Sequence, residues 1–383
     1  MIIGQFCETY PPALDGVGRV MLAYCQTLSA MGHRCLYVAP RDSANTSTPG
    51  CETLLYSGVG IPGEPYRIGV PAFSRAYRRA VKATPFDLVH AHTPFLAGRA
   101  ARRIARKRGV PLVATFHSKY YDDFYRATHS RALAKLALKY VVSFYNTCDE
   151  VWAVNERTAD VLRGYGYRGH IVCMPNGTDR QTVDEETYNR VLARYPLRDN
   201  VPTLIFVGQM DVKKNTPSIL RACALLRDRG MDFQLLMVGA GQDLASLKAL
   251  CASLHLQDRV LFTGFIGQRE ATLSLYRRAD LLVFPSVYDN APMVVREAAA
   301  MGTPALLVRD TCSAEEVTHG ENGFLCENTV ESIADGILGA LPTAAQVGAR
   351  ARDTIPIPWD RLMQRVLARY QRLIDRHGER RPA

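Results

Sequence analysis

The ten cysteines of this 383-residue chain form no CxxC pair and keep no regular spacing, which argues against both a zinc site and a disulfide framework. They are expected as reduced thiols in a cytoplasmic protein, most of them filling core. The opening residues, MIIGQFCETYPP, lack a basic segment followed by a long apolar run and a small-residue cleavage site, so a secretory signal is not expected there. No uninterrupted apolar stretch approaches the ~18 residues of a membrane span. Helix-turn-helix, zinc-finger and RNA-recognition patterns are missing too, and the aromatic residues do not interleave with the basic clusters. Nucleic acid is therefore not an expected partner.

What is present is an ordinary globular composition, 47% hydrophobic and 22% charged, on a chain long enough for two domains of roughly 150 to 200 residues. The net charge of +10 is unevenly spread. Residues 1–175 hold 22 Lys and Arg against 12 Asp and Glu, while residues 176–383 hold 25 of each, so the first half carries the whole excess. A basic half suits an anionic substrate or an anionic membrane surface.

Short apolar runs alternate with helix-period segments along nearly all the chain. In the first half the predicted strands are IIGQFCE, CLYVAP, DLVHAHTP, PLVATFH, EVWAVNE and HIVCMPN; in the second they are TLIFVGQM, FQLLMVGA, VLFTGFI, DLLVFPS and PALLVRD. Runs rich in Val, Ile, Leu and Phe, separated by helices such as GVGRVMLAYCQTLSAMG and SILRACALLRDRG, imply parallel sheets buried on both faces. Two such series, parted near MPNGTDRQTVDEETYNR, make an α/β protein of two doubly wound, Rossmann-like domains. In such sheets ligands bind beyond the carboxyl ends of the strands, and two facing domains would hold the ligand in the cleft between them.

Four motifs follow predicted strands. In PPALDGVGRV, Gly16 and Gly18 lie between the first strand and the first helix, where glycines either serve a turn or let an anion approach the helix N-terminus. No third glycine follows, and CLYVAP ends in Pro40 rather than an acid, which disfavours a nicotinamide site. In VATFHSKYYDDF, His117 ends a buried strand, and Tyr120, Tyr121, Asp122 and Asp123 form a polar and aromatic run suited to contacts. A satisfied structural histidine is the other reading. In FVGQMDVKKNTPS two lysines stand before a helix beginning near Thr216, an arrangement that fits either a phosphate site or a solvated turn. In YDNAPMVVREAAAMGTP, Asp289 precedes a helix from about Met293, where a carboxylate is by default a cap. Glu297 lies inside that apolar helix and needs partners, for which sugar or ribose hydroxyls are suitable donors.

Taken in order, PPALDGVGRV, GHRCLYVAP, DLVHAHTPF, PLVATFHS, VWAVNERTADVL, MPNGTD, FVGQMDVKKN, TGFIG, DNAPMVVREAAAMGTPAL and GENGFL resemble the retaining GT-B glycosyltransferases of family 4 over about residues 1–340. PWDRLMQRVLARYQRLI resembles that fold's closing helix. The resemblance implies an N-terminal acceptor-side domain at 1–175, a nucleotide-sugar domain at 176–357 and a helix crossing back at 358–383. It implies transfer of a hexose from a nucleotide diphospho-sugar to an acceptor hydroxyl with retention and without a metal, and no DxD occurs in the chain. No cofactor beyond the donor is implied, with UDP-hexose favoured over GDP-mannose. The catalytic set it implies is His117, Lys214 and Asp289. Its donor set is Gly16 and Lys214 at the diphosphate, with Gln209 beside them, Phe265 and Ile266 at the base, Met293 and Val294 at phosphate and ribose, Glu297 at the ribose, and Asp289 with Ala291 at the sugar.

Three positions depart from the family pattern: Asp289 stands for the first glutamate of its E-x7-E motif, Pro292 for a glycine, and Gln209 for an arginine. The acceptor is hinted at by RATHSRALAKLALKYVVSFYN, where Arg131, Lys135 and Lys139 recur every four residues and Leu133, Leu136, Tyr140 and Phe144 mark an apolar stripe. Such a helix either packs on its own sheet or lies on an anionic membrane, with Tyr120, Tyr121 and Asp122 beside it on the acceptor side. HAHTPFLAGRAARRIARKRGVP and TFHSKYYDDF look closest to the diacylglycerol glucosyltransferases of the family, which implies a lipid acceptor and a place on the inner membrane face. A soluble enzyme for a sugar or polysaccharide acceptor is the alternative. A non-catalytic nucleotide-sugar-binding subunit or an epimerase stands as the reading from another class.

Overall fold

The apolar runs form parallel strands, most of them followed by a helix. A computed structural model describes residues 1–11, 15–41, 50–60, 67–179 and 182–379. The chain divides into two units, one of residues 1–177 with 358–383 and one of residues 178–357.

In chain order the first unit contains β1 (Ile2–Phe6), α1 (Gly16–Ala30), β2 (Arg34–Arg41), β3 (Glu52–Ser57), β4 (Val59–Gly60), β5 (Arg67–Ile68), α2 (Arg75–Ala83), β6 (Leu88–Ala91) and α3 (Leu96–Arg108). It continues with β7 (Leu112–Phe116), α4 (Tyr121–Thr128), α5 (Arg131–Tyr145), β8 (Glu150–Ala153), α6 (Glu156–Gly164) and β9 (Ile171–Cys173). Seven strands make one sheet in the order β3-β2-β1-β6-β7-β8-β9, all parallel. Every residue of β6 and β7 is buried, as strands covered on both faces must be. The order reverses between β1 and β6, and such a switch point leaves a crevice at the carboxyl ends of the two strands.

The second unit holds α7 (Glu185–Leu192), β10 (Thr203–Val207), α8 (Thr216–Asp228), β11 (Gln234–Val238), α9 (Leu244–Ser253), β12 (Val260–Gly264) and α10 (Arg269–Arg278). It closes with β13 (Leu281–Phe284), α11 (Met293–Ala300), β14 (Ala305–Val308), β15 (Phe324–Cys326), α12 (Val330–Ala340) and α13 (Ala344–Thr354). Its parallel sheet runs β12-β11-β10-β13-β14-β15, with the switch point between β10 and β13. The two ends of this unit meet, since the Thr178 amide donates to the Ile357 carbonyl at 2.7 Å.

The last helix, α14 (Trp359–Glu379), belongs to the first unit. Its buried residues, Trp359, Leu362, Met363, Val366, Tyr370 and Leu373, recur at three- and four-residue steps and form the stripe that packs on α1. Tyr370 stacks on Trp152 at 5.6 Å, and Arg369 grips Glu150 with two bonds of 2.9 and 2.6 Å. Gly177 is where the chain leaves this unit, and a Cβ there would stand 2.3 Å from the Trp359 ring. A glycine in MPNGTD is thus a packing requirement of α14.

Every predicted strand is present. The edge strands β3 and β15 had no place among the predictions, because β3 mixes buried with exposed residues and β15 is only three residues long, too short to signal a run.

Candidate functional site

In the second unit the switch point brings two loops together. After β10 the chain enters a 3-10 turn at Val212–Lys214, capped by Asp211, whose carboxylate accepts from the Lys213 amide at 2.8 Å. Asn215 leaves the turn at φ 58°, a left-handed conformation that asparagine tolerates. Its side chain donates to the Pro285 carbonyl at 3.2 Å, which ties the β10 loop to the β13 loop. Lys214 is thereby delivered to Asp289, with Nζ 2.5 Å from Oδ1, and Ser286 donates to the other carboxylate oxygen at 2.5 Å. Both side chains are 17% exposed, so the pair is desolvated on most sides yet reachable. The ammonium groups of Lys213 and Lys214 stand 5.3 and 6.0 Å from the centre of the Tyr288 ring. Two cations and one oriented carboxylate on adjoining loops can serve a phosphate and a hydroxyl respectively.

Glu297 is buried on α11, and its partner is Arg269 at the start of α10, 3.1 Å away. Arg269 also reaches Asp179 at 3.0 Å. Arg296, the neighbour of Glu297 in sequence, points elsewhere. It is 3% exposed, donates to the Ile355 carbonyl at 2.6 Å and pairs with Glu316, which makes it an internal strut. Among the other donor-side residues, Gln209 is exposed on the β10 loop and Ala291 lies in the β13 loop. Phe265 follows β12 with 72% of its surface exposed, while Ile266 packs against the core. Met293 and Val294 open α11, whose first turn has no side-chain cap because Pro292 occupies the cap position.

In the first unit Gly16 opens α1, which Asp15 caps by accepting from the Gly18 amide at 2.8 Å. Among the described residues nothing lies within 4 Å of where a Gly16 Cβ would project, so their packing does not demand a glycine. Pro12, Ala13 and Leu14 of the same motif lie outside the described residues.

His117 follows the last residue of β7 and is half-buried. Its Nε2 lies 3.0 Å from His92 Nδ1, and the two rings stack at 5.3 Å. His92 continues to Gln5 at 2.9 Å, Gln5 to the Tyr370 hydroxyl at 3.2 Å, Tyr370 to His90 Nδ1 at 2.6 Å, and His90 Nε2 to Thr115 at 2.8 Å. Burial disfavours the charged imidazoles. It lowers the pKa of His117 to about 3 and those of His90 and His92 well below the ordinary histidine value, with the neighbouring histidines adding to the effect. Glu8, just past β1, is also buried. Its Oε1 accepts from the Ala97 amide at the start of α3 at 2.7 Å. Burial raises its pKa to about 7 against the opposing pull of Thr93 and the Ala97 amide, and the charge of Asp15 adds to the rise.

On the acceptor side, Tyr120 is buried among Phe95, Phe116 and Phe124, so its ring is core. Tyr121 and Asp122 begin α4, with Tyr121 half-buried and Asp122 exposed. The apolar stripe of α5 is treated unequally along its length. Phe144 is covered where α3 crosses, since a Cβ on Gly98 would lie 3.0 Å from its ring, and the Arg99 guanidinium sits 3.6 Å over Tyr140. Toward the N-terminus the stripe is bare: Leu133 is 52% exposed and Leu136 64%, beside the exposed Arg131, Lys135 and Lys139. The opposite face, with Ala134, Leu138, Val141 and Val142, packs inward. Among the described residues no helix is long and apolar enough to cross a membrane.

Two doubly wound units with these loops at their switch points make the chain a member of the GT-B fold class. The fold is similar to that of a sucrose-phosphate synthase from Thermosynechococcus elongatus (TM-score 0.81, 20% identity, 98% of this chain and 99% of that one), and to Anabaena Alr3699/HepE in complex with UDP and glucose (TM-score 0.77, 16% identity, 97% and 99%). The family model for Glycosyltransferase Family 4 matches residues 14–182 and that for Glycosyl transferases group 1 matches residues 190–350. The chain is 30% identical over 291 residues to the putative glycosyltransferase EpsF of Bacillus subtilis, covering 73% of this chain and 71% of that protein. It is 26% identical to an alpha-monoglucosyldiacylglycerol synthase of Streptococcus pneumoniae (80% and 70%) and 24% identical to a GDP-mannose-dependent alpha-mannosyltransferase of Corynebacterium glutamicum (98% and 89%). The chain belongs to the family 4, group 1 glycosyltransferases. It is a hexosyltransferase.

Proposed function

We propose that the protein transfers a hexose from a nucleotide diphospho-sugar to a hydroxyl of a membrane lipid, with retention and without a metal. The observation that carries the reaction is the convergence of Lys214 on Asp289 from the two loops that flank the second unit's switch point. In this reading Lys214, with Lys213 beside it, takes the diphosphate, and Asp289, steadied by Ser286, accepts from hydroxyls of the sugar. Glu297, held by Arg269, accepts from the ribose. The uncapped first turn of α11 offers amides to the phosphate, as helix N-termini do. Gly16 and His117 keep the roles that the resemblance implies, at the diphosphate and near the reacting carbon.

The bond between C1 and the phosphate oxygen breaks, and the bond from C1 to the acceptor oxygen forms on the same face. The acceptor's proton passes to the departing diphosphate, and no protein base is invoked. Stabilising that anion by fixed charges is then the main work of the site. The bare basic stripe of α5 supports a lipid acceptor, because apolar side chains among lysines are what an anionic membrane surface holds. The relatives act with different donors, and we favour a UDP-hexose over GDP-mannose.

The test is transfer from labelled UDP-glucose and GDP-mannose to diacylglycerol in anionic vesicles, with the anomeric configuration of the product read by NMR. Lys214→Ala should lower turnover by about 2 kcal/mol or more, roughly thirtyfold, as loss of an oxyanion-type donor does. Near wild-type turnover in that variant would remove Lys214 from the diphosphate.

A further inference from the structure

The central strands β1, β6 and β7 carry an unusual row of polar side chains for a doubly covered sheet. Gln5 and His90 are fully buried and stand opposite each other in register, and His92 is 1% exposed. Tyr24 of α1 meets the edges of both His90 and His92, and Tyr370 of α14 closes the row from above. Burying such groups is unfavourable unless each finds a partner, so the row asks what it positions.

The proton bookkeeping gives an answer. An amide oxygen only accepts and an amide nitrogen only donates. With Gln5 Oε1 facing His92 Nε2, that nitrogen carries the hydrogen. His92 is neutral, so its Nδ1 is bare and accepts from His117 Nε2, which therefore carries the only hydrogen of a neutral His117 ring. At the other end Gln5 Nε2 donates to Tyr370, whose own hydrogen goes to His90 Nδ1, and His90 Nε2 donates to Thr115. Turning the Gln5 amide over would reverse every bond and move the His117 proton to Nδ1. The amide orientation is thus the element that selects the tautomer.

We propose that Gln5, acting through His92, fixes His117 in the form protonated at Nε2 with Nδ1 as its acceptor nitrogen, and that Tyr370 of α14, the second partner of the Gln5 amide, couples that orientation to His90 and Thr115. Gln5, His92 and Tyr370 are then positioning residues for the transferase, and His117 meets the sugar as an acceptor of a hydroxyl hydrogen. This rests on the placement of His117 near the reacting carbon.

The experiment is nitrogen NMR of the full chain with labelled histidine at about pH 7, with kinetics on the same samples. The wild-type protein should show His117 with a protonated Nε2 and a bare Nδ1. Gln5→Met should mix the two tautomers and lower kcat about tenfold with little change in the donor KM, the size of effect typical when an orienting partner is lost. Tyr370→Phe removes one hydroxyl from an intact stack, and should shift the His117 signature in the same direction even if Gln5→Met does not fold. A wild-type His117 protonated at Nδ1, or a signature unchanged in the variants that fold, would overturn the proposal. If the signature moves and turnover does not, the tautomer lock stands and the placement of His117 at the sugar falls.

Discussion

Glu8 shows how much a single buried group can impose. Its carboxyl has a pKa of about 7 in the folded chain against an ordinary 4.5, so between those values the folded state holds a proton that the unfolded state has released. Stability is therefore lost as pH rises from about 4.5 to about 7, by about 3 kcal/mol from this group. Glu8→Gln keeps the acceptor for Ala97 and removes the slope. Urea unfolding at about pH 5 and pH 8 should show the wild-type protein losing about 3 kcal/mol more than the variant between the two, and parallel behaviour would refute the burial argument. At this scale the sequence was informative about ends of strands and uninformative about partners. Lys214, Asp289 and His117 could be singled out as candidates because a lysine, an acid and a histidine fall where apolar runs stop. Arg269, Ser286 and Tyr288 were not, since nothing local distinguishes an arginine at the start of one helix as the partner of a glutamate 28 residues away. Gln5 meets Tyr370 across 365 residues, beyond the reach of any periodicity.

Among the elements, α5 answers to two periodic patterns at once. One face was readable as core, and the apolar stripe was readable as amphipathic, but spacing could not tell that α3 covers Phe144 and leaves Leu133 and Leu136 bare. Removing the apolar character of the bare end, by Leu133→Ser with Leu136→Ser, should leave thermal stability nearly unchanged and abolish sedimentation with anionic liposomes at low salt. Lys135→Glu with Lys139→Glu should do the same through charge, at about 1 kcal/mol per residue. Undiminished vesicle binding in both double variants would move the membrane contact off α5. The parallel strands themselves needed no tertiary information, because runs of four or five buried β-branched and aliphatic residues admit few other placements.

On the scale of the whole molecule, the first unit is made of two separate lengths of chain. The six buried residues of α14, at roughly 1.5–3 kcal/mol each, represent about as much free energy as a domain's entire net stability. A chain stopped at residue 357 should therefore lose amide protection throughout residues 1–177 while residues 178–357 keep theirs, as hydrogen exchange would report. Uniform protection in the truncated chain would mean that α14 is dispensable. That the final helix belongs with the first unit was an expectation drawn from family resemblance; its own amphipathic spacing names a buried face without naming what buries it.

The second unit, by contrast, begins and ends at one point, where Thr178 is bonded to Ile357. Such an arrangement makes residues 178–357 a cassette. A single uninterrupted stretch of gene encodes it, and another cassette whose ends meet in the same way could replace it without re-threading the host. The half that carries Lys214, Asp289 and Glu297 can in this way be exchanged between relatives by one crossover at each border, whereas no single cut transfers the half that carries His117 and α5. Recombination thus has easier access to the residues proposed to hold the donor than to those proposed to meet the acceptor.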